Sequence, residues 1–355
     1  MRLLVVGLTF AYYALAAKLL SHEIAANLFL LITIVTAIEL FIVGATESLI
    51  LQHQYTKNAE KSLRTRKFLS VAGVVAASLY SIEYICLGAG LFNSIVRVRT
   101  AKARASNNSS AILLDGLPQS VLNIIIISLT ARFIAGYAIF TPLLTALIVI
   151  PISALVIKPG HVVVTKKTES SKDHQASLAV YAQFMTSSVT SIALGFISGS
   201  LYRELFLAQR FGDSMINFSR VLQWTKVEKV RSGADVLDFT SREFIAVLGL
   251  AILCAISGLV YGVVTELRLV FFHYLPLFIL TGVFTVLLAN LTQCYIQADS
   301  TALLLKLRLT QLTTVAVGAA LAGWMKAPLI LVLAAAIAQI SVYIYVKYQS
   351  LHRAI

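Results

Sequence analysis

Long apolar segments separated by short polar ones occupy almost the whole chain of 355 residues. A membrane-spanning helix needs about 20 apolar residues, because each residue adds about 1.5 Å and the hydrocarbon core is about 30 Å thick. Ten clear segments each predict a transmembrane helix, namely 3–20, 24–51, 68–96, 117–136, 137–157, 178–201, 244–264, 269–296, 309–325 and 328–348. An eleventh, weaker segment at 205–224 is interrupted by Arg210, Asp213 and Arg220.

The longest polar stretch of the chain divides these segments into two groups. It predicts a linker at 158–177 between an N-terminal transmembrane bundle at 1–157 and a C-terminal transmembrane bundle at 178–355. No loop is long enough to hold a soluble nucleotide-binding or glycosyltransferase domain. The predicted fold class is therefore an all-α, polytopic integral membrane protein with about 10–12 transmembrane helices.

The composition agrees with this fold class and excludes the other broad classes. The sequence is 58% hydrophobic and only 13% charged, whereas a soluble domain has about 25% charged residues because its surface faces water. The mean hydropathy is +0.85. These values exclude a soluble globular protein, a disordered chain, a secreted disulfide scaffold and a coiled coil.

The distribution of basic residues selects a topology. There are 29 Lys and Arg against 16 Asp and Glu, a net charge of +13, and cytoplasmic loops are enriched in Lys and Arg. Twelve crossings result if 68–96 is a hairpin and 205–224 is a real crossing. Both termini are then cytoplasmic, and 23 of the 29 basic residues lie inside, so the excess charge requires no nucleic acid partner. The cytoplasmic loops of this topology are 52–67, 93–113, 158–177, 225–243 and 298–308.

The hairpin at 68–96 carries a geometric penalty. Two helices that share this segment are about 21 Å long each, which is shorter than the hydrocarbon core of about 30 Å. The alternative is a re-entrant hairpin that turns at 78–83 without fully crossing. In either arrangement Glu83 lies at the turn, and a wet outer loop is its expected environment.

Two acidic residues of the second predicted span are candidates for function, because a charged side chain in hydrocarbon costs several kcal/mol. Glu39 and Glu47 are eight residues apart, about 80° around one helix, so they would line one face of a cavity. They are predicted to couple transport to H⁺ or Na⁺, or to contact sugar hydroxyls. The alternative is that Glu47 lies at the cytoplasmic end of the span, in contact with water.

Basic residues on the outer side form the second set of candidates. Arg and Lys bind phosphate, and the Arg guanidinium does so with two parallel hydrogen bonds. The alternatives are placement at the membrane interface or salt bridges, for example Arg203 with Glu204 or Arg210 with Asp213. The predicted substrate phosphate contacts are Lys18, Arg132, Arg203, Arg210 and Arg268, together with Arg220 inside the weak segment.

No sequence pattern typical of catalysis, metal binding or cofactor binding is present. The six His have no HExxH spacing and the three Cys lie in apolar segments without CxxC spacing. There is also no Walker sequence and no DxD. We expect a protein that is not an enzyme, with no catalytic residue, no metal and no cofactor.

Two stretches resemble polysaccharide flippases of the multidrug/oligosaccharidyl-lipid/polysaccharide exporter superfamily, a MATE-like superfamily. Residues 12–28 resemble the opening of these proteins, with Lys18 where the family often has Arg. Residues 274–348 are similar to the last three spans of O-antigen flippases, including a basic turn at Lys306 and Arg308. The segment 207–215 also aligns by eye with 17–23, which suggests two six-span halves related as a parallel repeat.

This resemblance implies two six-helix pseudo-repeat bundles around a central cavity that opens alternately to each side of the membrane. The implied substrate is a polyprenyl-pyrophosphate-linked oligosaccharide, a polysaccharide or O-antigen precursor that crosses the cytoplasmic (inner) membrane of the cell envelope. The implied partners are membrane lipid and other polysaccharide-assembly proteins. Lys18, Arg210 and Arg220 would be the foremost phosphate contacts, and Glu39 would couple an ion or bind sugar.

Three alternative functions stay open at this point. A MATE-like, ion-coupled exporter of small cations would need acidic residues deep in the cavity, where Glu39 is the one strong candidate. An integral-membrane polysaccharide polymerase or glycosyltransferase would usually have a large polar outer loop, whereas the longest outer segment here is only about 202–213. A chain shorter than typical family members, with compressed third and fourth spans, is also compatible with a non-transporting assembly subunit.

Overall fold

The structure is a computed structural model that describes residues 2–44, 46–51, 57–105, 116–157, 171–215, 241–289 and 301–353. The described residues form thirteen α-helices and three 3-10 helices, with no β-strand among them. The 3-10 helices are Ile82–Leu87, Ala135–Phe140 and Gly199–Leu201. The α-helices are α1 Arg2–Leu19, α2 His22–Val43, α3 Thr46–Leu51, α4 Lys57–Tyr80, α5 Gly88–Ala105, α6 Leu117–Phe133, α7 Thr141–Val156, α8 Ser171–Ser198, α9 202–215, α10 Ser241–Val264, α11 Leu269–Ala289, α12 Thr301–Met325 and α13 Pro328–Arg353.

The described helices confirm the predicted class, an all-α polytopic membrane protein. Their surfaces carry large apolar side chains, as expected where a helix faces lipid rather than water; Leu155 is 83% exposed and Trp324 is 81% exposed. Among the described residues, seven helical stretches are long and apolar enough to cross a membrane, namely His22–Val43, Ala135–Val156, Leu178–Met215, Phe244–Val264, Leu269–Leu288, Thr301–Met325 and Pro328–Tyr348.

The chain folds as two compact units, unit 1 at Met1–Ser170 and unit 2 at Ser171–Ile355. The boundary lies within the segment 158–177, for which the sequence predicts a linker. Residues 158–170 lie outside the described part of the chain, whereas 171–177 form the start of α8.

The apolar segment 68–96 is two antiparallel helices with a turn between them. α4 ends at Tyr80, and the 3-10 helix that follows carries the exposed Glu83. α4 runs antiparallel to α2, because Leu63 near its start shares an apolar cluster with Ile42 near the end of α2. α5 runs parallel to α2, because Gly90 in its first turn lies against Val35, whereas its later residues reach the C-terminal end of α2.

The six long helices of unit 1, α1, α2, α4, α5, α6 and α7, therefore alternate in direction along the chain. Thr9 Oγ1 of α1 is 3.2 Å from Ser120 Oγ of α6, and both residues lie in the first halves of their helices. Arg99 of α5 donates to the carbonyl of Ile157 at the end of α7. All three short turns, at 20–21, 81–87 and 134–140, thus lie at one end of unit 1, which we call its turn end. The opposite end is the linker end.

In unit 2, the weak segment 205–224 turns back against the preceding helix. Gln209 Nε2 of α9 donates to Ser191 Oγ of α8 at 2.7 Å across 18 residues, which a continuous helix would separate by about 27 Å. The reversal occurs at Gly199, whose φ of +54° lies in the left-handed region that favours glycine. Residues 216–224 of this segment lie outside the described residues.

Both units pack their helices in the same pattern. The first and fifth helices run parallel and in contact: α1 with α6 in unit 1, and α8 with α12 in unit 2, where Thr301 Oγ1 donates to Gln175 Oε1 at 3.0 Å. The second and fourth helices approach closely at glycine, because Gly90 lies against the backbone of α2 and Gly212 of α9 lies against Phe278 of α11. The two units are therefore structural repeats.

The by-eye alignment of 207–215 with 17–23 is wrong, although the repeat itself is present. Residues 17–23 form the turn from α1 to α2, whereas 207–215 lie within α9. The turn of unit 2 that occupies the equivalent place is Gly199–Leu201. Arg203 and Glu204 lie in the first turn of the next helix, α9, just as His22 and Glu23 lie in the first turn of α2.

Candidate functional site

Arg97 of α5 binds both acidic residues that the sequence singles out. Its Nη1 donates to Glu39 Oε1 at 2.9 Å and its Nε donates to Glu47 Oε2 at 2.7 Å. The Arg97 side chain is 28% exposed, and both carboxylates are less exposed than that. The polar stretch 93–113 predicts a loop, but α5 continues to Ala105, and the helical geometry turns Arg97 towards α2.

The prediction that Glu39 and Glu47 line one face of a single helix is wrong. α2 ends at Val43, and Gly44 follows with φ +43° in the left-handed region. Glu47 therefore lies on a separate short helix, α3. The two carboxylates lie close together because both bind Arg97, and α2, α3 and α5 are tied together by one guanidinium group.

Two further arginines, Arg66 and Arg99, donate hydrogen bonds to groups at the ends of other helices, at the linker end of unit 1. Arg66 of α4 donates to Thr46 Oγ1 at 2.9 Å, at the start of α3. Arg99 of α5 donates to the carbonyls of Ala154 and Ile157 at 3.0 and 2.9 Å, at the C-terminal end of α7. The position of Arg99 favours a cation, because the last carbonyls of a helix carry partial negative charge.

A cavity of about 240 Å³ lies inside unit 1 beside Glu39. Hydroxyl and carboxamide groups make up much of its wall, and Tyr12 in that wall is only 3% exposed. Within the described part of the chain, the Tyr12 hydroxyl and Asn123 Oδ1 are buried and have no hydrogen-bond partner. The lining residues are Val5, Thr9, Tyr12, Tyr13, Ile32, Val35, Thr36, Glu39, Asn93, Gly116, Gln119, Ser120, Asn123 and Pro142.

Three of the predicted phosphate contacts are exposed at the turn ends. Lys18 lies in the last turn of α1 and Arg132 in the last turn of α6. These two helices run parallel, so both side chains lie at the turn end of unit 1. Arg268 is exposed in the turn between α10 and α11, which corresponds to the turn at 81–87 of unit 1 because both join the third and fourth long helices of their unit. We call this end the turn end of unit 2. The Arg132 guanidinium also lies 5.9 Å from the centre of the neighbouring Phe133 ring.

Arg203 and Arg210 form ion pairs, which is the alternative that the sequence left open. The buried Arg203 donates through Nε and Nη2 to Glu204 Oε1 at 3.1 and 2.8 Å. Arg210 Nη1 lies 3.3 Å from Asp213 Oδ2, and its guanidinium stacks 4.4 Å from the centre of the Phe206 ring. Arg220 lies outside the described residues.

In unit 2, a series of hydrogen-bonded polar side chains that the sequence did not predict joins α12 to α13. Arg308 is only 2% exposed, and its Nη1 donates to Gln311 Oε1 at 2.8 Å. Gln311 Nε2 in turn donates to Gln339 Oε1 at 2.9 Å, which joins α12 to α13. The sequence predicts a loop at 298–308, but α12 is helical from Thr301. The spacing of 308 and 311, one helical turn apart before an apolar run, is the signal that would have identified it.

Within the described residues, no three His, Cys, Asp or Glu side chains are grouped so that they could hold a metal ion. Comparison with known proteins finds no family model, no curated protein and no solved structure that matches the chain. The chemistry of the site therefore rests on its own residues, which supply hydrogen bonds, paired charges and exposed cations.

Proposed function

We propose that this chain is a membrane transporter that translocates a polyprenyl-pyrophosphate-linked oligosaccharide, a precursor of a surface polysaccharide or O-antigen, by alternating access. The observation that carries the proposal is the repetition of one six-helix packing pattern in both units. Many secondary transporters consist of two repeats and change access by moving one repeat against the other.

Polar groups inside both units support a transport pathway. Charged residues within transmembrane helices are costly in hydrocarbon and characteristically line the path of a substrate or ion. Unit 1 holds Arg97 with its two carboxylates beside a polar cavity. Unit 2 holds the Arg203–Glu204 pair and the chain from Arg308 to Gln339.

The exposed cations at the turn ends are the best candidates for binding the pyrophosphate. Lys18, Arg132 and Arg268 are exposed, so they require no rearrangement before an anion binds. Arg203 and Arg210 already pair with carboxylates, so each would have to exchange a carboxylate for a phosphate. Coupling to H⁺ or Na⁺ at Glu39 would likewise require Arg97 to shift towards Glu47. Assembly proteins of the same polysaccharide are the proposed partners.

The linker end of unit 1 is proposed to face the cytoplasm, which places the N-terminus on that side of the inner membrane. Arg66, Lys67, Arg97, Arg99 and Lys102 lie towards this end, and cytoplasmic ends are enriched in such residues. Burial, followed by the charge of nearby Lys102, lowers the pKa of Lys67 below its ordinary value.

The C-terminus is also proposed to lie on the cytoplasmic side. A tag inserted near Asn107 should be accessible only from the cytoplasm, and periplasmic accessibility would contradict this orientation.

The proposed activity is tested with the purified full chain in proteoliposomes. A fluorescent polyprenyl-pyrophosphate-linked disaccharide is incorporated, and a membrane-impermeant reductant irreversibly quenches each probe molecule that reaches the outer leaflet. We expect the wild-type protein to make nearly all of the probe accessible, compared with about half in liposomes without protein. A quenched fraction equal to that of empty liposomes would contradict the proposal.

A triple variant tests the three exposed cations. Lys18→Ala with Arg132→Ala and Arg268→Ala should slow translocation at least tenfold, because it removes the exposed cations proposed to bind the pyrophosphate in each unit. The matched control replaces three exposed cations away from the turn ends, Lys61→Ala with Arg64→Ala and Lys306→Ala. It removes the same net charge and should leave translocation unchanged. Equal slowing in both triple variants would show a general charge effect instead.

A further inference from the structure

We infer that the cavity of unit 1 binds an uncharged sugar ring through its hydroxyl groups. The cavity lies among α1, α2, α5, α6 and the start of α7, and all of its lining residues belong to unit 1. The inference rests on the proposed function only for the origin of the ring, which would belong to the saccharide of the translocated substrate. The binding itself depends only on the residues that line the cavity.

The wall of the cavity carries the groups that recognise hydroxyls. Asn93, Gln119 and Asn123 each present a carboxamide, which both donates and accepts hydrogen bonds. Hydroxyl groups of Thr, Ser and Tyr add further donors and acceptors. A sugar hydroxyl also donates one hydrogen bond and accepts others, so it matches either partner. Val35 and Pro142 supply apolar surface for the C–H groups of a ring.

Two buried polar atoms in this wall lack a partner among the described residues. These are the hydroxyl of Tyr12, whose side chain is 3% exposed, and Oδ1 of Asn123. The great majority of buried polar side-chain atoms in proteins have a hydrogen-bond partner. A bound polyol would satisfy both, because one hydroxyl accepts from Tyr12 and another donates to Asn123 Oδ1.

Charge balance favours a neutral ligand over an ionic one. Glu39 is the one carboxylate in the wall, and it is already bound by Arg97 at 2.9 Å. A carboxylate that is already paired attracts a further cation less strongly than a free one would. The lining residues include no Lys, Arg or His that would attract an anion.

The size of the cavity restricts the ligand to one ring. A volume of about 240 Å³ has room for about eight water molecules at the density of the liquid. Drug-sized ligands occupy pockets of about 300–1,000 Å³, so a whole oligosaccharide does not fit. One sugar unit would therefore enter the cavity while the remainder of the saccharide lies outside it.

The test measures binding of free sugars to the purified full chain in detergent. Saturation-transfer difference NMR is recorded with D-glucose and N-acetyl-D-glucosamine as probes, with choline as the cationic probe. Inorganic phosphate is the anionic probe, followed by the width of its ³¹P signal. We expect saturation transfer to the ring protons of at least one sugar and no effect on choline or phosphate.

Two variants and two matched controls locate the site. Tyr12→Phe removes a hydroxyl that has no hydrogen-bond partner in the described part of the chain, so it should leave the unfolding midpoint unchanged or raise it, while sugar affinity falls about tenfold. Asn123→Ala should weaken sugar binding to a similar extent. The controls Tyr80→Phe and Asn27→Ala alter exposed residues outside the cavity and should not change sugar binding.

Three results would overturn the inference. Absence of sugar binding would mean that the cavity holds only water, and unchanged affinity in Tyr12→Phe would place the sugar elsewhere. Binding of choline or phosphate in place of sugar would identify an ionic site. These results are independent of translocation: if the proteoliposomes are active but sugar does not bind, only this site is refuted. Sugar binding without translocation would retain the site and refute the proposed function.

Discussion

The two units share one packing pattern but hold their charges in different ways. In unit 1, Arg97 of α5 reaches Glu39 and Glu47, which are 58 and 50 positions away and lie on two other helices. In unit 2, two ion pairs described within α9 join residues no more than three positions apart. The cross-helix bond between α12 and α13 is made instead by two uncharged carboxamides, those of Gln311 and Gln339.

This difference shows that the repeated fold does not prescribe how buried charges are neutralised. A pair that spans helices ties their positions together, because separating the helices leaves each charge unpaired in a poorly solvated place. A pair within one helix survives when that helix moves. Unit 1 is therefore expected to resist rearrangement of α2 against α5, whereas α9 is expected to move without breaking its ion pairs.

Removal of Arg97 is expected to have the largest effect. Arg97→Ala leaves two carboxylates without their shared cation, and the loss should lower the free energy of unfolding by about 3 kcal/mol, at the lower end for a broken buried pair because the arginine is 28% exposed. The measurement is the unfolding midpoint of the detergent-solubilised protein, followed by circular dichroism. The matched control is Arg64→Ala, which breaks the exposed pair with Glu60 and should cost no more than about 0.5 kcal/mol.

A compensating variant separates charge from packing. Adding Glu39→Gln and Glu47→Gln to Arg97→Ala removes the uncompensated negative charges, so it should recover more than half of the lost stability. If the triple variant is as unstable as the single one, the arginine acts through packing. The proposed distinction between the two units would then fail.

The cross-helix carboxamide bond of unit 2 is expected to have an intermediate effect. Gln339→Leu breaks its bond with Gln311 but leaves the bond from Arg308 in place, so it should cost about 1 kcal/mol, within the range for hydrogen bonds between transmembrane helices. The double variant Gln311→Leu with Gln339→Leu completes a double-mutant cycle with the two single variants. A coupling energy near zero would show that this bond does not hold α12 to α13.

Much of the fold follows from the sequence because the membrane imposes a simple length rule. Each of the ten clear apolar segments contains helix in the described residues, and the basic residues on both sides of 68–96 indicated the turn that the structure has at 81–87. The sequence also indicated that the segment 24–51 does not form one continuous helix. A continuous helix over that segment would be about 42 Å long, well beyond the hydrocarbon core, and Gly44 lies where the helix ends.

The sequence predicted the partner of a charged residue only where the two residues are close together in the chain. The pairs Arg203–Glu204 and Arg210–Asp213 were visible as neighbours in the chain. The partners of Arg97 were not, because apolar patterning carries no information about which helix a polar side chain will face. Helices also continue through polar stretches beyond the membrane core, so Arg97 and Arg308 lie within helices where a hydropathy pattern predicts loops.

Removal of Arg210 should have a smaller effect on stability than the changes at Arg97 and Gln339, and it thereby separates the two modes of neutralisation. Its pair with Asp213 lies within α9, and both side chains are partly exposed, so Arg210→Ala should cost about 0.5 kcal/mol in unfolding free energy. Asp213→Asn is the matched variant, since it breaks the same pair but keeps the cation over the Phe206 ring. If Arg210 also binds the pyrophosphate, Arg210→Ala should slow translocation while Asp213→Asn does not. A loss of stability as large as that in Arg97→Ala would show that this pair, too, supports the packing of the helices.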